Sequence, residues 1–206
     1  MVKTYGDWCE MAMRFLVIYA HPDSDSFGSY LLERVLSALK EAGHEVETLD
    51  LYAEHFQPVL STIERRSYYD LNADRGDVKS KIDQLLRCEG LIFVFPTWWY
   101  GMPAILKGYL DRVWLPGVAF GMAAGRTHPL LGHIVRFAAV TTYGSPWWLN
   151  RLVIGDPNRK VFMRGLRHLF SPAARSLWLA QYGMDQAGFR TRDKFLRKVY
   201  GHIKRL

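Results

Sequence analysis

Cysteine is scarce in this chain of 206 residues, which contains only Cys9 and Cys88. One precedes the first predicted strand and the other lies at a predicted helix end, so no disulfide framework is indicated. We therefore expect a protein of the reducing cytoplasm. No apolar run approaches the roughly 20 residues that cross a bilayer, so no membrane span is expected. Residues 1–13 lack a basic-then-apolar secretion signal. We expect them to form an N-terminal extension, with Met11 or Met13 as the natural start.

Several motifs are also missing. Neither a G-x-G-x-x-G nor a Walker A sequence occurs, which disfavours those two ways of gripping a nucleotide phosphate. His44, His55, His168 and His202 are scattered without metal-ligand spacing, and no metal site is predicted. The net charge of +7 is not accompanied by a helix-turn-helix, zinc or RNP-like pattern, so we do not expect a nucleic-acid partner.

The chain does contain enough apolar residues, 49%, to build the core of one α/β domain, which we place at residues 14–206. Apolar runs at residues 15–20, 46–51, 91–95, 134–142 and 176–182 predict five strands. Helical periodicity predicts helices at residues 27–42, 74–86, 104–113, 161–170 and 189–204. Residues 52–73 and 114–132 are predicted to be irregular. This alternation predicts a five-stranded parallel sheet of order 2-1-3-4-5 with helices on both faces. Ligands of such sheets bind at the carboxyl ends of the strands, where the strand order reverses.

The loop after the first predicted strand runs from His21 to Gly28 and opens the first helix. Backbone N–H groups at a helix N-terminus, together with nearby hydroxyl groups, bind phosphate well. His21 could donate a further hydrogen bond, and Asp23 and Asp25 are expected to point outward. An ordinary capped turn, with Ser26 as the N-cap, is the alternative interpretation.

The loop after the third strand reads Pro96-Thr97-Trp98-Trp99-Tyr100-Gly101-Met102-Pro103. A flat, partly apolar cofactor such as a flavin requires aromatic walls and backbone donors at this edge. Packing of these aromatic side chains in the core is the alternative interpretation. It is disfavoured because loops usually lie on the protein surface.

The loop after the fourth strand reads Thr141-Thr142-Tyr143-Gly144-Ser145-Pro146-Trp147-Trp148. Its hydroxyls and Gly144 could approach the pyrimidine side of a flavin ring. Trp147 and Trp148 could wall a pocket for a planar substrate, although core packing is equally compatible with two tryptophans.

Three stretches together are more specific: LVIYAHPDSDSFGSYLLERVLSALKEAGHEVETLDLYAEHFQPVLS, LIFVFPTWWYGMPAILKGYLDRVWLPGVAFG and VTTYGS. They resemble the NAD(P)H:quinone oxidoreductase (DT-diaphorase-like) family of flavodoxin-like proteins. The likeness runs from about Arg14 to Ser145 and is weaker beyond. It implies a flavodoxin-like three-layer fold, a homodimer, and ping-pong hydride transfer from NAD(P)H through FAD or FMN to a quinone. The closeness of the first 120 residues favours FAD.

The resemblance also assigns residues to roles. His21, Asp25, Ser26, Phe27 and Gly28 align with the loop for the flavin phosphate. Pro96, Thr97, Trp98, Trp99 and Tyr100 align with the loop along the isoalloxazine ring, with the Trp99 backbone N–H near flavin N5. Thr141, Thr142, Tyr143 and Gly144 align with the loop at N1 and O2. Phe120 is expected to serve the pocket of a second subunit.

One part of the family pattern is absent. The mammalian enzymes carry a Tyr and a His that relay charge during hydride transfer, and here Trp148 and Ile154 fall near those positions. Neither side chain titrates, so that part of the mechanism cannot be carried over. Trp99 and Tyr143 are the remaining candidates for a catalytic role.

Two other classes of function stay open. Some relatives resemble flavin-binding regulatory subunits of potassium-efflux systems, and the basic surface could meet an acidic partner. An electron-transfer flavodoxin is the second, which the positive charge and the long aromatic loops disfavour.

Overall fold

The computed structural model describes residues 12–123 and 125–206. Most of the proposed N-terminal extension, including Cys9 and the candidate start Met11, lies outside the described residues. Cys88 is free and buried, and burial raises the pKa of its thiol to about 12.

The predicted central sheet is confirmed. Its five parallel strands are β1 (Arg14–Tyr19), β2 (Glu45–Asp50), β3 (Gly90–Pro96), β6 (Arg136–Thr142) and β7 (Arg175–Gln181). Their order is β2-β1-β3-β6-β7, which is the predicted 2-1-3-4-5 once a separate hairpin is left out of the count. That hairpin is β4 (Phe120–Ala123) with β5 (Arg126–Pro129). The strand order reverses between β1 and β3, where Tyr19 pairs with Val94.

Helices cover both faces of the sheet. They are α1 (Phe27–Glu41), α2 (Thr62–Arg66), α3 (Lys79–Arg87), α4 (Ala104–Val113), α5 (Pro157–Lys160) and α6 (Phe189–Ile203). Alternate strand residues face opposite layers, as a period of two requires. Leu16 and Ile18 of β1 belong to the core under α3 and α4, whereas Val17 belongs to the core under α1 and α6.

Several predicted boundaries differ from those of the structure. The helix predicted from residue 74 begins as α3 at Lys79, after a 3₁₀ turn at Gly76–Val78 in which Gly76 has a φ of +47°. The single helix predicted at 161–170 is instead a π-helical segment at Val161–Gly165 followed by a 3₁₀ helix at Leu166–Leu169. The widened turn contains Phe162, which is fully buried and stacks on Phe95.

The two segments predicted to be irregular also contain regular structure. The hairpin of β4 and β5 lies within 114–132, and Gly125 adopts a φ of +73° in its turn. Within 52–73, α2 begins with a capping box, in which Ser61 Oγ accepts from the Glu64 N–H and Glu64 accepts from the Ser61 N–H. The Ser-x-x-Glu spacing was readable in the sequence.

A buried arginine ties this long connection to the domain. Arg112 of α4 is 6% exposed and bonds the Glu64 carboxylate at 2.7 Å and the Asp77 carboxylate at 2.8 Å. It also donates to the Gln57 carbonyl at 2.6 Å. Asp77 therefore forms an ion pair with Arg112 of another segment and also lies in the 3₁₀ turn before α3.

Gly108 of α4 lets the same connection approach closely, and we predict that Gly108→Ala destabilises the fold. An added Cβ would lie 2.2 Å from the Pro58 carbonyl oxygen, which is backbone and cannot rotate away. We expect the free energy of unfolding to fall by about 2 kcal/mol or more, as for other overpacked sites. Denaturant unfolding measures the change.

Gly201→Ala in α6 is the matched control, because its Cβ would meet nothing closer than 3.8 Å. Helix propensity then favours alanine, so stability should hold or rise. Equal effects of the two substitutions would contradict the close approach at Gly108.

Candidate functional site

An open cleft of about 550 Å³ lies at the carboxyl ends of the strands, around the point where the strand order reverses. Residues from four loops line it: His21, Pro96, Thr97, Trp98, Trp99, Thr142, Gly144, Met184 and Asp185. The first seven come from the three loops singled out in the sequence. The structure thus brings the loops after β1, β3 and β6 to one cleft and adds the loop after β7.

The first loop converges on the N-terminus of α1. Ser26 is the N-cap in an extended conformation, and its Oγ makes no hydrogen bond to the helix. That hydroxyl lies 3.4 Å from the Tyr19 hydroxyl instead. A Cβ on Gly28 would lie 3.2 Å from Ser26 Oγ and 3.3 Å from His21 Cδ2. No acidic side chain stands in the first turn of this 15-residue helix, so the dipole at its N-terminus favours an anion.

The two aspartates of this loop are exposed. The Asp23 carboxylate accepts from the Asp25 N–H at 2.9 Å, and Nδ1 of His21 lies 3.0 Å from the Asp23 backbone nitrogen. These bonds occupy the Asp25 backbone donor and hold the His21 ring against the loop. Of the residues predicted to contact the phosphate, Asp25 is therefore the least available.

The second loop forms a strained turn. Trp98 and Gly101 exchange backbone hydrogen bonds of 3.0 and 2.9 Å, and the two residues between them are left-handed, with φ of +50° at Trp99 and +59° at Tyr100. Non-glycine residues in this region cost on the order of 1 kcal/mol or more each, and such strain concentrates at functional sites. Trp99 is 97% exposed at the tip.

Hydroxyl and amide groups tie the second loop to the third. Thr97 Oγ1 lies 2.9 Å from Thr141 Oγ1 and accepts from Asn158 Nδ2 at 2.9 Å. The Thr97 N–H donates to the Thr142 carbonyl at 2.8 Å. Thr141 is fully buried and Asn158 nearly so, which fixes the Thr97 side of the cleft.

Beside the cleft loops lies a buried carboxylate that receives two phenols. The Tyr143 hydroxyl donates to Asp156 Oδ1 at 2.7 Å, and the Tyr182 hydroxyl donates to Oδ2 at 3.0 Å. Asp156 is 5% exposed and adopts a φ of +49° just before α5. Desolvation and the Asp156 carboxylate raise the pKa of Tyr143 and that of Tyr182, the latter to about 12. The Tyr143 phenol, a candidate for a catalytic role in the sequence, is thus committed to a buried partner.

The three residues predicted for a substrate pocket do not line the cleft of their own chain. Phe120 lies in β4 and packs against the core under α3 and α4. Trp147 and Trp148 are half exposed, at 56% and 50%. Sequence reasoning missed Met184, Asp185, Asp156 and Asn158. The position of β7 beside β6 at the same sheet edge, and the Gly-Asp-Pro start of α5, were the available signals.

The raised pKa of Tyr182 predicts a loss of stability in alkali. Folding favours the protonated phenol, so its contribution is complete below pH 10.0 and is lost as the pH rises through about 12. We expect the free energy of unfolding to fall across this window, and to fall less in Tyr182→Phe. Denaturant unfolding at a series of pH values measures both slopes. Parallel slopes in the two proteins would contradict the assignment.

Comparisons with known proteins agree with this architecture. The sequence profile of the flavodoxin-like fold family matches residues 13–150. An uncharacterized NAD(P)H oxidoreductase of Haemophilus influenzae is 40% identical over 124 residues, which are 58% of this chain and 59% of that protein. The match thus spans little more than half the length of this curated relative.

Two solved structures match nearly the whole chain. Smu.1420 from Streptococcus mutans is 30% identical with a TM-score of 0.82, over 94% of this chain and all of that one. The NAD(P)H:quinone oxidoreductase from Methanothermobacter marburgensis is 26% identical with a TM-score of 0.75, over 94% and 95% of the two chains.

The helices within residues 12–123 and 125–206 are all too short or too polar to span a bilayer. The profile match covers more than half of the chain, and the sheet order and the position of the cleft agree with it. The chain belongs to the flavodoxin-like fold family.

Proposed function

We propose that this protein is a flavin-dependent oxidoreductase that transfers two electrons as a hydride from NAD(P)H to quinones or related acceptors. The observation that carries the proposal is the cleft at the switch point, where a helix N-terminus, a strained aromatic turn and a glycine-lined third loop meet. The names of relatives that align over part or most of the chain support the same activity.

The residues present fit a flavin mononucleotide. The N-terminus of α1 and the Ser26 hydroxyl, which lies 3.4 Å from the Tyr19 hydroxyl, would hold its phosphate, and Gly28, which has no side chain, keeps that corner open. Trp98 and Trp99 would flank the ring on one side, and Thr142 and Gly144 on the other. A bound flavin would accept a hydride from NAD(P)H and deliver it to the acceptor.

FMN is the flavin that we propose, in place of the FAD favoured by the sequence resemblance. An FMN-dependent azoreductase from Bacillus anthracis shares this fold at 15% identity and a TM-score of 0.71, and its structure contains FMN. The described loops supply one helix N-terminus for a single phosphate, which suits the shorter flavin.

The chain's own groups act by positioning. Backbone donors aimed at a site where negative charge develops are effective when they are fixed in advance. The reciprocal bonds between Trp98 and Gly101 hold the Trp99 and Tyr100 backbone in one conformation. The hydrogen bond between the Thr97 and Thr141 hydroxyls and the one that Asn158 donates to Thr97 fix the Thr97 side of the cleft. Tyr143 and Asp156 hold the third loop and transfer no proton in this account.

Because the residues proposed for the flavin share one open cleft, we propose that the nucleotide leaves this cleft before the acceptor enters it. We retain a homodimer with Phe120 facing the partner's pocket, and a cytoplasmic location, as predictions. Neither the geometry nor the relatives favour the regulatory-subunit alternative.

Steady-state kinetics of the FMN-loaded protein test the proposal. We expect NADH or NADPH oxidation only when a quinone is present, with parallel double-reciprocal lines as the quinone concentration changes. Free FMN and the flavin-free protein are the controls. An FMN-loaded protein that oxidises neither nucleotide across a panel of quinones and azo dyes would overturn the proposed activity.

A further inference from the structure

The loop after β7 is fixed against the third cleft loop. It begins with a short 3₁₀ turn. The Gly183 N–H donates to the Ser145 carbonyl at 2.9 Å, and the Met184 N–H donates to the Tyr143 carbonyl at 2.8 Å. The two acceptors are the residues on either side of Gly144 in the chain. The backbone therefore holds the two loops together at Gly144.

Asp185 is the residue of this turn that brings a charge into the cleft. Its Oδ2 lies 2.5 Å from the point where a Cβ on Gly144 would stand, so the carboxylate lies against the Gly144 backbone. Of the nine described residues that line the cleft, Asp185 is the one acid, and none is a lysine or arginine. In the part of the chain that the structure describes, this carboxylate forms no ion pair and accepts no hydrogen bond. It is therefore not engaged in holding the fold.

The proposed reaction adds negative charge on this side of the cleft. This step rests on the proposed function, in which Thr142 and Gly144 flank the ring of FMN. NAD(P)H passes one hydride, which is two electrons and one proton, to the neutral oxidised ring and leaves as NAD(P)+. The ring keeps the negative charge of the hydride. A carboxylate in the same cleft repels that charge, and more strongly where a bound ring displaces water.

We infer that Asp185 holds the reduction potential of bound FMN low. Its carboxylate disfavours the negatively charged reduced ring relative to the neutral oxidised ring, so reduced FMN binds less tightly than it would without the charge. The reduced protein is consequently a stronger hydride donor to the acceptor, and the first transfer from NAD(P)H is less favourable by the same amount. Asp185 thus sets how the free energy of the reaction is shared between its two halves, and it transfers no proton.

The midpoint potential of the FMN-loaded protein, measured without oxygen beside a dye of known potential, tests the inference. Asp185→Asn keeps the shape of the side chain and removes its charge. We expect the affinity for reduced FMN to rise roughly tenfold relative to that for oxidised FMN, which for a two-electron couple is a potential about 30 mV more positive. Titration of the flavin-free variant should show nearly unchanged affinity for oxidised FMN. Neither readout depends on turnover.

Two matched variants separate the charge of Asp185 from other effects. Asp185→Glu keeps the charge and should keep the potential near that of the wild type, whereas a role in packing would be disturbed more by this longer side chain than by asparagine. Asp193→Asn removes a carboxylate of α6 that pairs with Arg197 outside the cleft lining, and it should leave the potential unchanged.

The result that would overturn the inference differs from the one that would overturn the proposed function. If the protein binds FMN and Asp185→Asn leaves the potential unchanged, makes it more negative, or shifts it no more than Asp193→Asn does, the inference is wrong and the flavin site stands. If the wild-type protein binds no FMN, the proposed function and this inference are both wrong.

Discussion

Gly144→Ala is expected to weaken FMN binding at least tenfold while leaving the flavin-free fold nearly as stable as before. An added Cβ would lie 2.5 Å from Asp185 Oδ2 and 3.1 Å from its carboxyl carbon. Both residues line the cleft, so the carboxylate must move within the site proposed for the ring. Fluorescence titration of the flavin-free protein with FMN measures the change.

Gly132→Ala is the matched control, since its Cβ would have no heavy atom within 4 Å. It should bind FMN as the wild type does. A double-mutant cycle isolates the cause: if the clash with Asp185 is responsible, Gly144→Ala should have little further effect in an Asp185→Ala background. Additive losses would instead show that Gly144 matters through another contact.

Asp156→Ala is expected to lower the free energy of unfolding by about 4 kcal/mol. It leaves the hydroxyls of the buried Tyr143 and the partly buried Tyr182 without their acceptor, and a buried polar group without a partner costs about 1–3 kcal/mol. The residue also adopts a φ of +49°, which aspartate tolerates better than alanine. Urea unfolding, with the slope checked for two-state behaviour, measures the loss.

Asp156→Asn is the control that keeps the shape and the left-handed backbone. Its amide oxygen can still accept from one phenol, so less than half of the loss is expected. Tyr143→Phe and Tyr182→Phe should each cost about 1 kcal/mol. Each removes one phenol hydroxyl together with its hydrogen bond, so no hydroxyl is left without an acceptor. A loss below about 1 kcal/mol in Asp156→Ala would contradict a stabilising role for the carboxylate.

The sheet and most of its helices could be predicted because their signals are local. Residues 91–95 are an uninterrupted apolar run and become β3, which is buried on both faces. The first helix ends where Gly43, with a φ of +83°, stops it as predicted. Strand order followed from right-handed crossovers and needed no side-chain detail.

Boundaries failed where distant groups decide the local structure. Asp77, in the 3₁₀ turn before α3, accepts a hydrogen bond from the guanidinium of Arg112, which is 35 residues further along the chain. The π-helical segment follows from the burial of Phe162 among the rings of Phe93 and Phe95. Neither partner is visible in the local pattern of residues 74–87 or 161–170.

The candidate site was predictable to the level of loops. Composition located the loops after β1, β3 and β6, but the loop after β7 has no tryptophan pair like those of the loops after β3 and β6, so Met184 and Asp185 gave a weaker signal. The burial of Asp156 and Asn158 was likewise hidden, because Asp156 follows Gly155 and Asn158 follows Pro157 in what reads as an exposed turn. The left-handed backbone of Trp99 and Tyr100 is unusual for aromatic residues and could not be predicted from sequence.

The central claim, that the cleft is a flavin site, is tested most directly by titrating the flavin-free protein with FMN and then adding NADPH or NADH without oxygen. We predict that the fluorescence of FMN is quenched and that the quenching saturates at one FMN per chain. Emission from Trp98 and Trp99 should also be quenched, and either nucleotide should bleach the flavin absorbance bands. FMN whose fluorescence and absorbance stay those of the free flavin throughout would contradict the claim.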